Sequence, residues 1–500
     1  MGSLPVDVCK KDATPNIWLK PVAFPSHVRC FFQFAKLLAS HKLIVTVFCT
    51  KGNDETLGLH ATLESWRSTE AIDIRLSYVE IEEPDFADGP DDPEQWAWVC
   101  RQQEERMDSI LKHVSGVGQP TRTCVISDIW IPGVHESALK YNIPAWFFSA
   151  FSVGYIGATV YLSQLQAKGI LKIPFSPLDT DSQEEYISIP GLPLLRLCEL
   201  DHCSQFSSHP FHPLGKRNGQ SLKKSEVIIF STFEELESRA FRECKILVRN
   251  TAVEKKGETK KIYTVGPLFP LKSEGARSTA DDPERHPCMK FLDGQADSSV
   301  LFVAFGSVWE LPPEQMQEIA FGLEGSEKSF LCAFHAAAKT PQYPTGNIFD
   351  VISSDCISRT KERGLFVQGW VPQLQILGHP AIGGFLSHCG HNSFLESLGM
   401  GVPLLTWPLL CDQPMNARFV VDEIHAGLEI EKDPRGEKLV DRKEVEKKVR
   451  DLLQSEEGKA ARKNAHQIRE LALQSVAEDG SSYNNIRSLV TRIRGLAEWK

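Results

Sequence analysis

The chain lacks several features, and each absence removes a class of protein. No run of eighteen apolar residues occurs, so no transmembrane helix is expected. The opening residues, MGSLPVDVCKKDATPN, contain no apolar core and do not read as a secretory signal. Val6 stands where a myristoylation site needs Ser or Thr. Basic residues are outnumbered, and the net charge of −10 argues against a general binder of nucleic acid or anionic membrane. Any phosphate site must then be local, built from backbone amides or single side chains. No CxxC pair occurs, and the 13 cysteines are odd in number and scattered, mostly in apolar segments as at Cys49, Cys124 and Cys332. That is the usage of a reducing compartment, so the cytosol is the expected location. No GxGxxG follows a strand and no GxxxxGKS/T occurs, so neither dinucleotide nor P-loop binding is signalled. Internal repeats and low-complexity tracts are absent as well.

What is present is a soluble globular composition, 42% apolar and 24% charged, in 500 residues. That length exceeds one core, so two domains are expected. Asn16–Ala23 reads as a strand, Pro25-Ser26-His27 as a turn, and Val28, Phe31, Phe32, Ala35 and Leu38 recur at helical spacing before a second strand at Leu43–Cys49. This β-turn-α-β order implies a parallel sheet. Further strands are expected at Leu76–Ile81, Cys124–Ser127, Ile143–Phe148, Val227–Phe230 and Ile262–Val265, with helices around Trp96–His113 and Val134–Tyr141. Residues 170–224, rich in Pro, Ser and His, read as a long surface excursion. Residues 270–287 (PLKSEGARSTADDPERHP) are polar and broken by proline, the composition of a linker.

The alternation then restarts, with strands at Ser299–Phe305, Phe330–Ala333, Leu365–Val367, Gly383–Ser387 and Val402–Trp407. Pro312-Pro313 opens one helix, and another is expected over Ser393–Met400. Asp441 and Glu444 have capping-box spacing. A polar helix spans roughly 458–477, Gly480-Ser481-Ser482 breaks it, and a last helix runs to Lys500. The fold class is therefore α/β, with two consecutive doubly wound units facing a cleft. In open parallel sheets ligands bind beyond the carboxyl ends of the strands. His27, Asp128, Ser149, Ser307, His388 and Asp412 each follow an expected strand directly, more polar residues than fold alone requires.

The richest stretch is Trp370–Gln413. His388 to Ser393 follow a strand and open a helix, where free N–H groups and the helix dipole favour an anion. The plain alternative is a helix capped by Asn392 or Ser393. A zinc site from His388, Cys389, His391 and His379 is disfavoured, because such a cluster across a strand end cannot aim its ligands at one ion. Glu396 could accept from both hydroxyls of a ribose or simply complement the dipole. Trp370 could stack on a nucleobase or fill a core. Asp412-Gln413 could bind sugar hydroxyls or form a turn. His27 suits proton removal near neutral pH, with Asp128 fixing its tautomer; the alternative is a solvated histidine. Asp179-Thr180-Asp181 resembles a metal-binding DxD but sits in a Ser/Glu-rich loop, and the Cys198, His202, Cys203, His209, His212 set fits no standard zinc module.

These 44 residues, Trp370 to Gln413, resemble the signature box of plant family 1 UDP-dependent glycosyltransferases. Trp370, Pro372, Gln373, Leu377, His379, Phe385, His388-Cys389-Gly390, Asn392-Ser393, Glu396, Gly401, Pro403, Pro408 and Asp412-Gln413 stand at the family's spacings. The likeness extends to Pro25-Ser26-His27, Ser127-Asp128, Ile189 to Pro193, Phe233 to Glu237, Val265 to Leu268, Phe305 to Val308 and Gly480 to Ser482. The resemblance implies the GT-B fold: an acceptor-binding domain over 1–269, a linker over 270–287, a UDP-sugar domain over 288–480, and a helix at 481–500 that crosses back to the first domain. It implies that Trp370 stacks on uracil with the Val371 backbone on its edge, and that Gln373 and Glu396 face the ribose. Ser307, His388, Asn392 and Ser393 would hold the diphosphate. Asp412 and Gln413 would bind the sugar, with Ser149 near its 6-position, His27 as base and Asp128 as its partner. The implied reaction is inverting transfer of glucose from UDP-glucose to a hydroxyl of a small lipophilic acceptor, a phenolic or terpenoid, by a monomeric cytosolic protein. No metal or other cofactor is implied, because the helix N-terminus and His388 stabilise the leaving diphosphate.

The chain departs from that family's pattern at Ser26 (usually Gly), at Ser149 (usually Thr) and at Cys332 (usually Trp). It departs most at His391, where HCGWNS has Trp and where Arg accompanies glucuronate donors. Imidazole there could bind a sugar hydroxyl or, if charged, favour a uronate. UDP-glucuronate, UDP-galactose or a UDP-pentose is therefore an alternative donor, and a catalytically silent nucleotide-sugar binder is a third possibility.

Overall fold

The computed structural model describes residues 15–70, 72, 74–81, 93–116, 123–168, 185–200, 212–249, 259–271, 286–306, 310–432 and 438–496. Ser307, the 179–181 triplet and most of the 270–287 segment lie outside them. Among the described residues nine strands precede residue 270: β1 Asn16–Lys20, β2 Ile44–Cys49, β3 Ile74–Tyr78, β4 Thr123–Asp128, β5 Ala145–Ser149, β6 Tyr186–Ile187, β7 Leu195–Arg196, β8 Val227–Phe230 and β9 Lys261–Thr264. Six follow: β10 Val300–Ala304, β11 Ser329–Phe334, β12 Gly364–Gln368, β13 Ile382–Ser387, β14 Leu404–Thr406 and β15 Gly427–Glu429.

The first sheet has the order β3-β2-β1-β4-β5-β8-β9 and the second β12-β11-β10-β13-β14-β15, all pairs parallel. The central strands are buried on both faces, as all six residues of β4 illustrate. Strand order reverses between β1 and β4 in one sheet, and between β10 and β13 in the other. Those two switch points open the crevices in which such folds bind ligands.

The first helix, Pro25–Ser40, starts with proline at its first position, and Val28, Phe31, Phe34, Ala35 and Leu38 are buried under the first sheet. The final helix, Ser481–Gly495, returns to that same face. Its Ile486, Leu489, Val490 and Ile493 join Ile17, Leu19, Val45 and Ile126 in one cluster. Ser482 Oγ donates to the Gly266 carbonyl at 2.5 Å, and Asn485 Nδ2 to that of Thr264 at 3.1 Å. A further cluster joins the halves, bringing Phe233, Leu236 and Leu271 against Phe394, Leu398 and Ala465. Among the described residues no helix is long and apolar enough to cross a membrane.

Two expectations need correction, and one helix carried no sequence signal. The helix Val153–Ala167 gave no periodic signal, because Val153, Ile156, Ala158, Val160 and Leu162 are buried around most of its circumference. Residues 185–200 are not a surface excursion: Ile189, Leu192, Leu195, Leu197 and Leu200 belong to the first core. Asp441 does cap the Arg442–Gln454 helix through the Lys443 N–H, but Glu444 turns to the Glu431 N–H instead of completing a box.

The Val153–Ala167 helix begins beside a buried acid. Glu237, 2% exposed, accepts from the Gly154 N–H at 3.1 Å. Burial outweighs that bond and pushes the carboxyl up to about 7. Its folded value exceeds the unfolded one, so stability is full below the ordinary carboxylate range and falls as pH rises through 7. Glu237→Gln is expected to flatten this decline, removing on the order of 3 kcal/mol of pH dependence. Urea melts at pH 5 and pH 8 check it; an unchanged wild-type slope in the variant contradicts it.

Candidate functional site

β1 leads into the first helix and places His27 in its first turn, while β4 ends on Asp128. The two are neighbours because β1 and β4 pair in register, Lys20 opposite Ser127. His27 Nδ1 donates to Asp128 Oδ2 at 2.7 Å, and the other carboxylate oxygen accepts from the Trp130 N–H at 3.0 Å. Asp128 is fully buried and His27 5% exposed. With Nδ1 engaged, Nε2 is the nitrogen left to act on a ligand. Around the imidazole stand Phe24 at 5.7 Å and Phe151 edge-on at 4.8 Å, and Trp96, Trp130 and Tyr155 extend this aromatic wall.

Facing this pair is the start of the signature helix, His391–Gly399. Its N-cap is Gly390, not Asn392 or Ser393, and Cys389 before it takes φ of 63°. The first intrahelical bond runs from Phe394 N–H to the Gly390 carbonyl, so the N–H groups of His391, Asn392 and Ser393 have no partner within the helix. Asn392 Nδ2 instead donates across the cleft to the Ser26 carbonyl at 3.0 Å. The two helix N-termini are thus tied face to face.

Glycine is required here by close approach. A Cβ on Gly390 would lie 2.6 Å from His388 Nε2, and one on Gly306 (φ 80°) 2.8 Å from it. Burial lowers the His388 imidazole to about 4. His391 is 4% exposed, and burial, helped by the neighbouring His27, lowers it to about 3. Burial thus disfavours a charge on His391. Its Nε2 is hydrogen-bonded to Ser231 Oγ at 3.2 Å, while Nδ1 is buried without a partner among the described residues.

Trp370 is not core: it is 45% exposed, with His335 edge-on and the Arg29 guanidinium over its ring at 4.3 Å. Val371 gives its carbonyl to the Gln373 N–H. Gln373 Nε2 donates to Glu396 Oε2 at 2.7 Å and to Ser393 Oγ at 3.3 Å. Burial raises the Glu396 carboxyl, opposed by Gln373 and by Arg29. Asp412 Oδ2 accepts from Asn416 Nδ2 at 2.6 Å. Gln413 Oε1 takes the N–H groups of Leu409 and Leu410, leaving its amide –NH2 to offer.

Ser149 lies at the end of β5. It is fully buried, and its hydroxyl closes a turn on the Phe151 backbone, donating to the carbonyl and accepting from the N–H. Among the described residues no group of three or more His, Cys, Asp or Glu side chains could hold a metal ion. His202, Cys203 and His209 lie outside those residues.

Sequence reasoning missed three contributors. Asn416 bonds to the Cys389 carbonyl, to Asp412 and to Ser152 of the first half. Ser231 holds His391, and Arg29 covers Trp370. Only Asn416 left a signal, one helical turn beyond Asp412.

The model for UDP-glucoronosyl and UDP-glucosyl transferase matches residues 267–442. UDP-glycosyltransferase 73C25 of Barbarea vulgaris is 30% identical over 512 residues, covering 96% of each chain. Phloretin 2'-O-glucosyltransferase of Pyrus communis is 30% identical over 79% of this chain and 81% of its own. UGT71G1 of Medicago truncatula, solved with UDP-glucose, superposes with a TM-score of 0.77 at 25% identity, over 96% of this chain and 99% of that one. UGT2 of Phytolacca americana, solved with UDP-2fluoro-glucose and pterostilbene, gives 0.77 at 25% identity over 97% and 100%. The chain belongs to the plant UDP-glycosyltransferase family, transferases acting on small molecules, and carries its two-sheet GT-B architecture.

Proposed function

We propose that this protein transfers glucose from UDP-glucose to a hydroxyl of a flat, lipophilic acceptor, with inversion to a β-glucoside. The observation that carries the reading is the 2.7 Å His27–Asp128 contact, facing the open N-terminus of the signature helix across the Asn392–Ser26 bond. His27 Nε2 takes the acceptor proton while that oxygen attacks the anomeric carbon. The bond from that carbon to the diphosphate oxygen breaks, and UDP leaves from the opposite face. Asp128 stabilises the imidazolium that forms. Charge gathering on the leaving diphosphate meets the free N–H groups of the helix, with Ser307, Asn392 and Ser393 around it. His388, held neutral, donates there as a hydrogen-bonding group and not as a cation, so no metal is called for.

In this reading uracil stacks on Trp370 against the Val371 backbone, the ribose meets Glu396 and Gln373, and the sugar meets Asp412, Gln413 and the unpartnered Nδ1 of His391. A neutral His391 supports glucose over a uronate. The aromatic wall of Phe24, Trp96, Trp130, Phe151 and Tyr155 suits a planar acceptor, a phenolic ahead of a terpenoid. Residues 1–269 would bind the acceptor and 288–480 the UDP-sugar, joined at 270–287, with 481–500 returning to the first. One chain supplies both walls of the cleft, so a monomer suffices. The free thiols, eleven among the described residues, suit the cytosol.

His27→Ala is expected to lower kcat about 10²–10⁴-fold and leave UDP affinity unchanged. UDP release with UDP-glucose and a panel of phenols measures the first, and calorimetry the second; undiminished turnover removes His27 as base. A donor panel tests the sugar. Wild type should prefer UDP-glucose to UDP-glucuronate, UDP-galactose and UDP-xylose, and His391→Trp should retain that order. Faster turnover with UDP-glucuronate in wild type contradicts the glucose assignment.

A further inference from the structure

Arg29 lies two residues beyond His27 on the first helix, yet its side chain reaches the second half of the molecule. Its guanidinium carbon stands 4.3 Å from the centre of the Trp370 ring, a single stacking layer. Its charge is also felt by Glu396, one of the groups expected to meet the ribose. Trp370 is otherwise half open, and His335 stands edge-on to it at 6.4 Å. The cation therefore fills the seat that the preceding reading gives to the nucleoside, touching the ring meant for the base and influencing the carboxylate meant for the ribose.

A nucleobase cannot stack on that face while the guanidinium is there, because the gap holds one layer and not two. We propose that Arg29 sets donor affinity by occupying the nucleoside seat of the ligand-free enzyme, so that the donor binds by displacing it. The inference rests on the assignment of Trp370 to the nucleobase. Displacement forfeits a cation–π contact and an attraction to a carboxylate, and both losses subtract from binding. Arg29 is exposed and its side chain makes no hydrogen bond among the described residues, so its removal is expected to leave the fold intact.

Uridine is the appropriate probe, because it lacks the diphosphate that a nearby cation would attract in its own right. In the intact protein at physiological salt, Arg29→Ala and Arg29→Gln should each bind uridine about two- to fivefold more tightly than wild type. Arg29→Lys, which keeps the cation, should stay near the wild-type value. Trp370→Ala should weaken uridine and UDP alike. Unchanged or weaker uridine binding in Arg29→Ala overturns the proposal, and so does equal tightening in Arg29→Lys. If Trp370→Ala binds both ligands like wild type, the donor-site reading itself is wrong and this inference goes with it. If Trp370→Ala weakens them while Arg29→Ala gains nothing, only this inference fails.

Discussion

Two helix N-termini meet across the cleft, and each carries N–H groups with no partner inside its own helix. The first helix contributes Ser26 and His27, the signature helix His391, Asn392 and Ser393. Two positive dipole ends brought together repel unless something negative lies between them. The surroundings reduce that strain. The Ser26 carbonyl accepts from Asn392, and burial keeps both His388 and His391 uncharged. In the proposed reaction the leaving diphosphate supplies the missing negative charge, and the architecture behind the two helices holds them at that spacing.

Much of that support comes from single polar side chains that stitch the halves together. Ser152 bonds to Asn416 and Ser231 to His391. Arg418, on the helix that follows Asp412, reaches Glu199 at 2.7 Å and Glu429 at 3.0 Å. Glu199 sits at the end of the 185–200 segment, which is packed into the first core. The Gln413–Arg418 helix is thereby tied to the 185–200 segment of the first half. Glu199 also pairs with Arg196 at 2.7 Å, so the contact is part of a charge network that spans both segments.

The order of strands and the polar residues at their ends were legible because β-branched runs and Pro/Gly punctuation are local signals. Trp370, His388, Glu396 and Asp412 were legible through their fixed spacing in one stretch. What escaped has a common physical cause. The Val153–Ala167 helix is apolar on most sides, so it shows no period. The partners of Trp370 and His391, namely Arg29 and Ser231, come from distant strands and helices, and nothing in their own neighbourhoods marks them. Ser149 does end a strand, and its hydroxyl bonds to the Phe151 backbone, a contact its position alone did not foretell. The N-cap at Gly390 reflects how closely the His388 ring approaches the backbone, a tertiary constraint that overrides side-chain capping preference.

The return of the final helix to the first sheet bears on how the protein is made. Ile17, Leu19 and Val45 leave the ribosome well before the residues that pack on them, Ile486, Leu489 and Val490, which follow the whole second sheet. At typical elongation rates of about 5–20 residues per second, that face waits on the order of tens of seconds for its cover. The first half therefore cannot complete its core as an independent early folder. Its maturation waits for the Ser481–Gly495 helix, which is made only after the second sheet.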